Sequence, residues 1–239
     1  MKKTKQKTEE KVDVLCIGAH QDDIDVTIGG IVALLAERGY KVEILDLTQR
    51  EGMYFSEEEE EEDEANRAAE ILGVNRSLID LGLLKIENNE KNRMLVADEI
   101  RKRRPDIIIT LWKDETHPDH NVVHNLVLDA FHYSFATAIK TKHDPWRPKA
   151  IYFTATNILY EKPPENALFV DVSKTFHKKR EALKSYASQM LFHAHNRKYV
   201  LEHIEALNRA WGLLIGKEYA EIIIPRLPVF EPFPELEKK

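Results

Sequence analysis

The sequence predicts a doubly wound, mostly parallel α/β sheet. Three observations carry this expectation. Short apolar, β-branched runs recur without alternating polar residues, as strands buried on both faces do. Segments with helical spacing separate them. Strand and helix alternate four times before Phe135, the pattern of a parallel sheet with crossover helices.

Val12–Gly18 is the first apolar run and reads as a buried strand; apolar residues from Ile24 to Arg38 then recur at helical spacing until Gly39. Lys41–Leu47 reads as a second strand, and Glu58–Leu72 as a helix closed by Gly73. Ser77–Leu81 is a short strand candidate, and Asn92–Arg103 a helix that Pro105 prevents from continuing. Asp106–Thr110 is strongly β-branched, and a helix follows over His120–Phe135. The last third predicts strands at 150–156, 168–172 and 218–224, and helices at 174–191 and 198–214. It forms a C-terminal α/β extension of the same domain, which is expected over residues 12–239 after a polar, disordered tail at 1–11.

The bulk numbers narrow the function. The 239 residues are 43% apolar and 32% charged, a composition that folds, and the net charge of −6 is spread without a basic face. Nucleic acid is therefore not an expected partner. No apolar stretch approaches the ~20 residues of a membrane span. The single cysteine, Cys16, sits within an apolar run, reads as a packed core residue and excludes an internal disulfide. A cytoplasmic protein is expected. The eight consecutive acidic residues from Glu57 to Glu64 read as a solvated helix start, where acid side chains favour the positive end of the dipole.

Two clusters carry chemistry. Ala19-His20-Gln21-Asp22-Asp23 follows the first strand, and Thr116-His117-Pro118-Asp119-His120 follows the fourth. Ligands of such sheets sit outside the carboxyl ends of the strands, so both clusters fall at the functional edge. Imidazoles with carboxylates suit Zn²⁺, and three protein ligands leave one position for water. Of the adjacent Asp22 and Asp23, one can face the metal while its neighbour takes a proton from water. The plainer readings are that Asp22 caps the following helix and that His117 is a loop histidine. Gly29-Gly30 lacks phosphate-loop spacing and reads as close helix packing; His124 reads as a structural or rim histidine.

His20-Gln21-Asp22-Asp23 and His117-Pro118-Asp119-His120 resemble the two motifs of the LmbE-like, or PIG-L, family of zinc-dependent de-N-acetylases. The resemblance implies a Rossmann-like fold and an N-acetylglucosamine-type substrate. It implies His20, Asp23 and His120 as zinc ligands, with Fe²⁺, Co²⁺ or Mn²⁺ accepted by the same set. Asp22 would be the general base, His117 a second polar group facing the substrate, and Asp119 its orienting partner. Tyr199 matches a family tyrosine that supports the oxyanion. A homo-oligomer, trimer or hexamer, follows by analogy. Gln21 stands where the family has Pro or Ala, and an acidic run stands where many members carry Arg, which disfavours an anionic aglycone. A zinc amidohydrolase with another N-acyl substrate, a non-catalytic sugar- or metal-binding protein and a nucleotide-dependent transferase are the competing readings; the missing glycine fingerprint opposes the last.

Overall fold

In a computed structural model the protein is described over residues 11–49, 58–113, 115–156, 164–186 and 197–226, with side chains described from 63 and from 200 onward in the helices that open at 58 and 197. β1 (Val14–Gly18) lies near the middle of a seven-stranded sheet. It pairs in parallel with β2 (Val42–Asp46) on one side and β4 (Ile107–Leu111) on the other. β3 (Asn75–Leu78) extends the sheet beyond β2, and β5 (Ala150–Thr154) beyond β4, both in parallel. β7 (Ala220–Pro225) then runs antiparallel to both β5 and β6 (Leu168–Asp171). The strand order is β3-β2-β1-β4-β5-β7-β6. The doubly wound, mostly parallel sheet and its C-terminal α/β extension are both present.

Both faces of the sheet are covered, which explains the unbroken apolar runs. Val14 and Cys16 of β1 face one layer with Ile107 and Ile109; Leu15 and Ile17 face the other with Ile108 and Leu111. The first layer holds α1 (Asp23–Glu37), α2 (Glu58–Leu72) and α5 (Phe176–Lys184). The second holds α3 (Glu90–Arg103) and α4 (Pro118–Phe135), with Trp211 from α6 (Arg197–Leu214). Burial raises the Cys16 thiol pKa far above its ordinary range, so Cys16 is the core residue its sequence context predicts. No helix among the described residues is long and apolar enough to cross a membrane.

Local signals end the helices as expected. Gly39 (φ +84°) and Gly73 (φ +79°) take the left-handed conformation just past α1 and α2. Asn89 caps α3, its side chain accepting the Asn92 N–H at 2.9 Å. The chain leaves β1 toward β2 and leaves β4 toward β5 on the opposite side. The carboxyl ends of β1 and β4 therefore flank the switch point of the sheet, and both motif loops open there.

Candidate metal centre and active site

The loop after β1 turns tightly. A Cβ on Gly18 would lie 3.1 Å from the His20 carbonyl oxygen, so any larger residue would have to push the turn aside. The Thr48 N–H and hydroxyl both bond the Ala19 carbonyl at 2.9 Å, tying the loop to the end of β2. Asp23 closes the loop from within, its Oδ2 accepting the backbone N–H of Ala19 (3.0 Å) and of His20 (2.9 Å). The other loop enters α4 through His117, the N-cap, and Pro118 in the first turn.

These two loops bring two ring nitrogens and the Asp23 carboxylate together. His120 Nε2 lies 3.2 Å from His20 Nδ1 and 3.2 Å from Asp23 Oδ1; His20 Nδ1 lies 3.5 Å from Asp23 Oδ2. Donors about 2.0–2.2 Å from a tetrahedral zinc stand roughly 3.3–3.6 Å apart, since a tetrahedron's edge is about 1.6 times its bond length. The observed separations, taken to Asp23 Oδ1 from His120 and to Asp23 Oδ2 from His20, lie within about 0.1 Å of that range. A second grouping, His20, His117 and His120, offers atoms within 4.8 Å of one another. The triangle completed by Asp23 is the tighter and carries the charge a cation needs.

Each histidine is turned by an acid behind it. A carboxylate only accepts, so His20 Nε2–H donates to Asp119 Oδ2 at 3.1 Å, leaving Nδ1 as a lone pair. The Thr156 hydroxyl donates to Glu115 Oε2 and accepts from His120 Nδ1–H at 3.2 Å, leaving Nε2 for the centre. Glu115 Oε1 also takes the Thr156 N–H at 2.8 Å. Two ring nitrogens thus converge at 3.2 Å, an arrangement that only a proton or a metal ion between them reconciles. Without a metal the proton takes that place. Burial opposes a charge on His120, but Asp23 and Glu115 outweigh it and push its pKa up to about 10. Burial likewise opposes ionisation of Asp23, and His120 and His20 more than reverse it, holding the carboxyl well below its usual range.

The remaining candidate residues of the two motifs are Asp22, His117 and Asp119. Asp22 is half-buried at the N-cap of α1 but makes no side-chain capping hydrogen bond, so the helix does not account for it. The His117 ring stands edge-on to His20 at 4.6 Å between centroids and 4.9 Å from His120. Its Nδ1 accepts the Asp119 backbone N–H at 3.2 Å, which fixes a neutral tautomer protonated on Nε2. Burial, with His20 and His120 nearby, lowers its pKa and keeps it neutral. The orienting contact on His117 is thus the backbone of Asp119, while the Asp119 carboxylate serves His20 and accepts the Leu84 N–H at 3.0 Å. His20 and that N–H outweigh burial and hold Asp119 ionised.

Tyr199 lies on α6, but its side chain falls outside the described residues, so its part in the site stays an expectation. His124 is structural: its Nδ1 donates to the Leu111 carbonyl at 2.9 Å, and its ring packs on Phe153 and Trp112. Glu115 and Thr156 were not singled out by the sequence. The one available signal for Glu115 was an acid two residues before the second motif; Thr156 carried none.

A doubly wound sheet whose switch point gathers two imidazoles and a carboxylate defines an α/β protein with an open, metal-fitting donor cluster. The chain carries a PIG-L (LmbE-like) family domain. Residues 15–131 match the family described as PIG-L, GlcNAc-PI de-N-acetylase. Over 224 residues the chain is 29% identical to the diacetylchitobiose deacetylase of Thermococcus kodakarensis, covering 87% of this chain and 80% of that one. It is 24% identical over 195 residues to the 4-oxalmesaconate hydratase of Pseudomonas putida, covering 73% of each. The crystal structure of a conserved protein from Thermus thermophilus superposes with a TM-score of 0.84 at 27% identity, covering 95% of this chain and all of that one.

Proposed function

We propose that the protein is a metal-dependent N-deacetylase of N-acetylglucosamine-type sugars, with Zn²⁺ held by His20, Asp23 and His120. The observation that carries the reading is the 3.2 Å convergence of His120 Nε2 on His20 Nδ1 and on Asp23 Oδ1, with the His117 ring 4.6 Å from that of His20 and Asp22 next to Asp23 in the chain. The deacetylase relative and the family support the substrate class.

Two imidazoles and one carboxylate are a donor set of catalytic zinc sites. When bound, the ion supplies Lewis-acid polarisation of a water molecule and of the acyl carbonyl. Asp22 takes a proton from the attacking water and returns it to the leaving nitrogen, so that water and amide become acetate and amine. His117 Nε2–H donates to the acyl oxygen as that oxygen gains charge; with its Nδ1 engaged by the Asp119 backbone, Nε2 is the nitrogen that faces outward chemistry. Asp119, and Glu115 through Thr156, hold the two ligating rings in register. A homo-oligomer working in the cytoplasm remains part of the proposal.

The test is amine release from N-acetylglucosamine, diacetylchitobiose and N-acetylglucosaminyl-malate, with bound metal quantified and Asp22→Asn alongside. Metal-dependent release that falls about 10²–10⁴-fold in the variant is expected. Bound metal with no release from any member, but with water addition to 4-oxalmesaconate, would replace the deacetylase reading with that of the hydratase relative.

A further inference from the structure

Beneath the first motif lies a buried polar cluster that the proposed chemistry does not use. Arg76, on β3, has a side chain only 3% exposed. Its Nε donates to Asp46 Oδ2 at 2.6 Å and its Nη2 to Asp25 Oδ2 at 2.7 Å. Asp46 ends β2 and Asp25 lies in the first turn of α1, so one guanidinium ties two elements to β3. The same Nη2 also donates to the Gln21 carbonyl. Nη1 donates to the Tyr186 hydroxyl at 3.0 Å and to the Ala65 carbonyl at 3.2 Å. Tyr186 follows α5, and its hydroxyl donates in turn to the Gln21 carbonyl at 2.6 Å.

The Gln21 carbonyl is therefore the point where two donors 110 residues apart in the chain meet. That carbonyl belongs to the peptide joining Gln21 to Asp22. A neutralising ion pair needs only the carboxylates; neither Asp25 nor Asp46 explains why a guanidinium N–H and a fully buried phenol both end on this one oxygen. Fixing it fixes the plane of the Gln21–Asp22 peptide, with His20 on one side and Asp22 and Asp23 on the other. We propose that Arg76 and Tyr186 are positioning residues that clamp this peptide, and through it aim Asp22 at the reacting water and Asp23 at the metal. The proposal rests on the roles given above to Asp22 and Asp23. Tyr186 lies outside residues 15–131, so the clamp makes the C-terminal third of the chain a working part of the site.

Tyr186→Phe removes one hydroxyl and keeps the ring, the gentlest break; Arg76→Lys keeps the charge but loses the fork. Both are compared with the native protein by kcat and KM on the substrate the panel identifies, by Zn²⁺ competition with a chromophoric chelator, and by the visible spectrum of the Co²⁺-loaded protein. The expected result for Tyr186→Phe is a roughly tenfold loss of kcat at a KM within twofold of native, with altered Co²⁺ bands; a misplacement of about 1 Å by a change far from the chemistry can cost on the order of 10²-fold. Arg76→Lys should move the same readouts further. Native kcat, Zn²⁺ affinity and Co²⁺ bands in Tyr186→Phe, with only a lower Tm, would overturn the clamp. If the native protein releases no amine, the deacetylase reading falls, while the Co²⁺ comparison still decides the clamp: changed bands support it and unchanged bands overturn it.

Discussion

His20 and His120 differ in which nitrogen they offer, and the difference is set by the acid behind each ring. Asp119 holds His20 by Nε2, and Glu115 holds His120 by Nδ1 through Thr156. Glu115→Gln should weaken Zn²⁺ binding about 10–100-fold, measured by chelator competition, with little change in fold. The proton at His120 also sets a pH dependence. Its folded pKa of about 10 exceeds the ordinary 6.5, so in metal-free protein its stabilisation is complete below 6.5 and lost as pH rises toward 10. Metal must displace that proton, so the gain in Tm on adding Zn²⁺ should be larger at pH 8 than at pH 6. An equal gain at both values would mean that His120 is not the ligand. At this scale the sequence was informative where chemistry clusters locally. His20 to Asp23 and His117 to His120 each sit within four residues, in the loops and first helical turns that follow two apolar strands. Glu115, Thr156 and Arg76 were not legible, because their partners come from other strands and only the folded chain brings them close.

α1 shows how an element can hide a buried network. Ile28 leaves helical geometry (φ −133°, ψ 23°), and the N–H groups of Gly30 and Ile31 are taken up by the Glu221 carboxylate at 3.0 and 2.7 Å. The fully buried Lys179 completes the set, 2.7 Å from Glu221 Oε1. Gly29-Gly30 serves close packing, as its spacing predicts: a Cβ on Gly30 would lie 3.0 Å from Val172 and 3.1 Å from Glu221, and one on Gly29 3.1 Å from Lys179. Lys179→Met should cost about 3–5 kcal/mol in urea unfolding, because it strands the Glu221 carboxylate in the core. The double variant with Glu221→Gln should cost less than the sum of the two single changes. A Lys179→Met loss below about 1 kcal/mol would mean that Glu221 is satisfied by the α1 amides alone. The buried polar residues also explain the one displaced strand. Periodicity points to Ser77–Leu81, but β3 runs over Asn75–Leu78, since its inward residue is Arg76 rather than an apolar side chain. Of the helix expected over 174–191, Phe176–Lys184 is observed, opening after Thr175, and residues 187–191 lie outside the described residues.

For the whole molecule, alternation of strand and helix determined the outcome. A mostly parallel sheet covered on both faces leaves its strand ends open, and the reversal of winding between β1 and β4 opens a crevice at their carboxyl ends. That is why two motifs nearly a hundred residues apart predict a single centre. The antiparallel β7 was not legible as such: Ala220–Pro225 reads as a strand, but nothing in its six buried residues encodes direction. The direction follows from α6, which returns the chain to the sheet between β5 and β6.

Cys16 gives the molecule a further, practical property. It is the sole cysteine of the sequence, sealed in the centre of β1 with its thiol held protonated. The native protein should therefore be silent toward thiol reagents, with Ellman's reagent titrating it only after unfolding. A cysteine placed by design at the mouth of the site would be the one reactive handle on an unaltered background. Spin labels or fluorophores could then report the approach of a saccharide without first stripping the protein of its own sulfur.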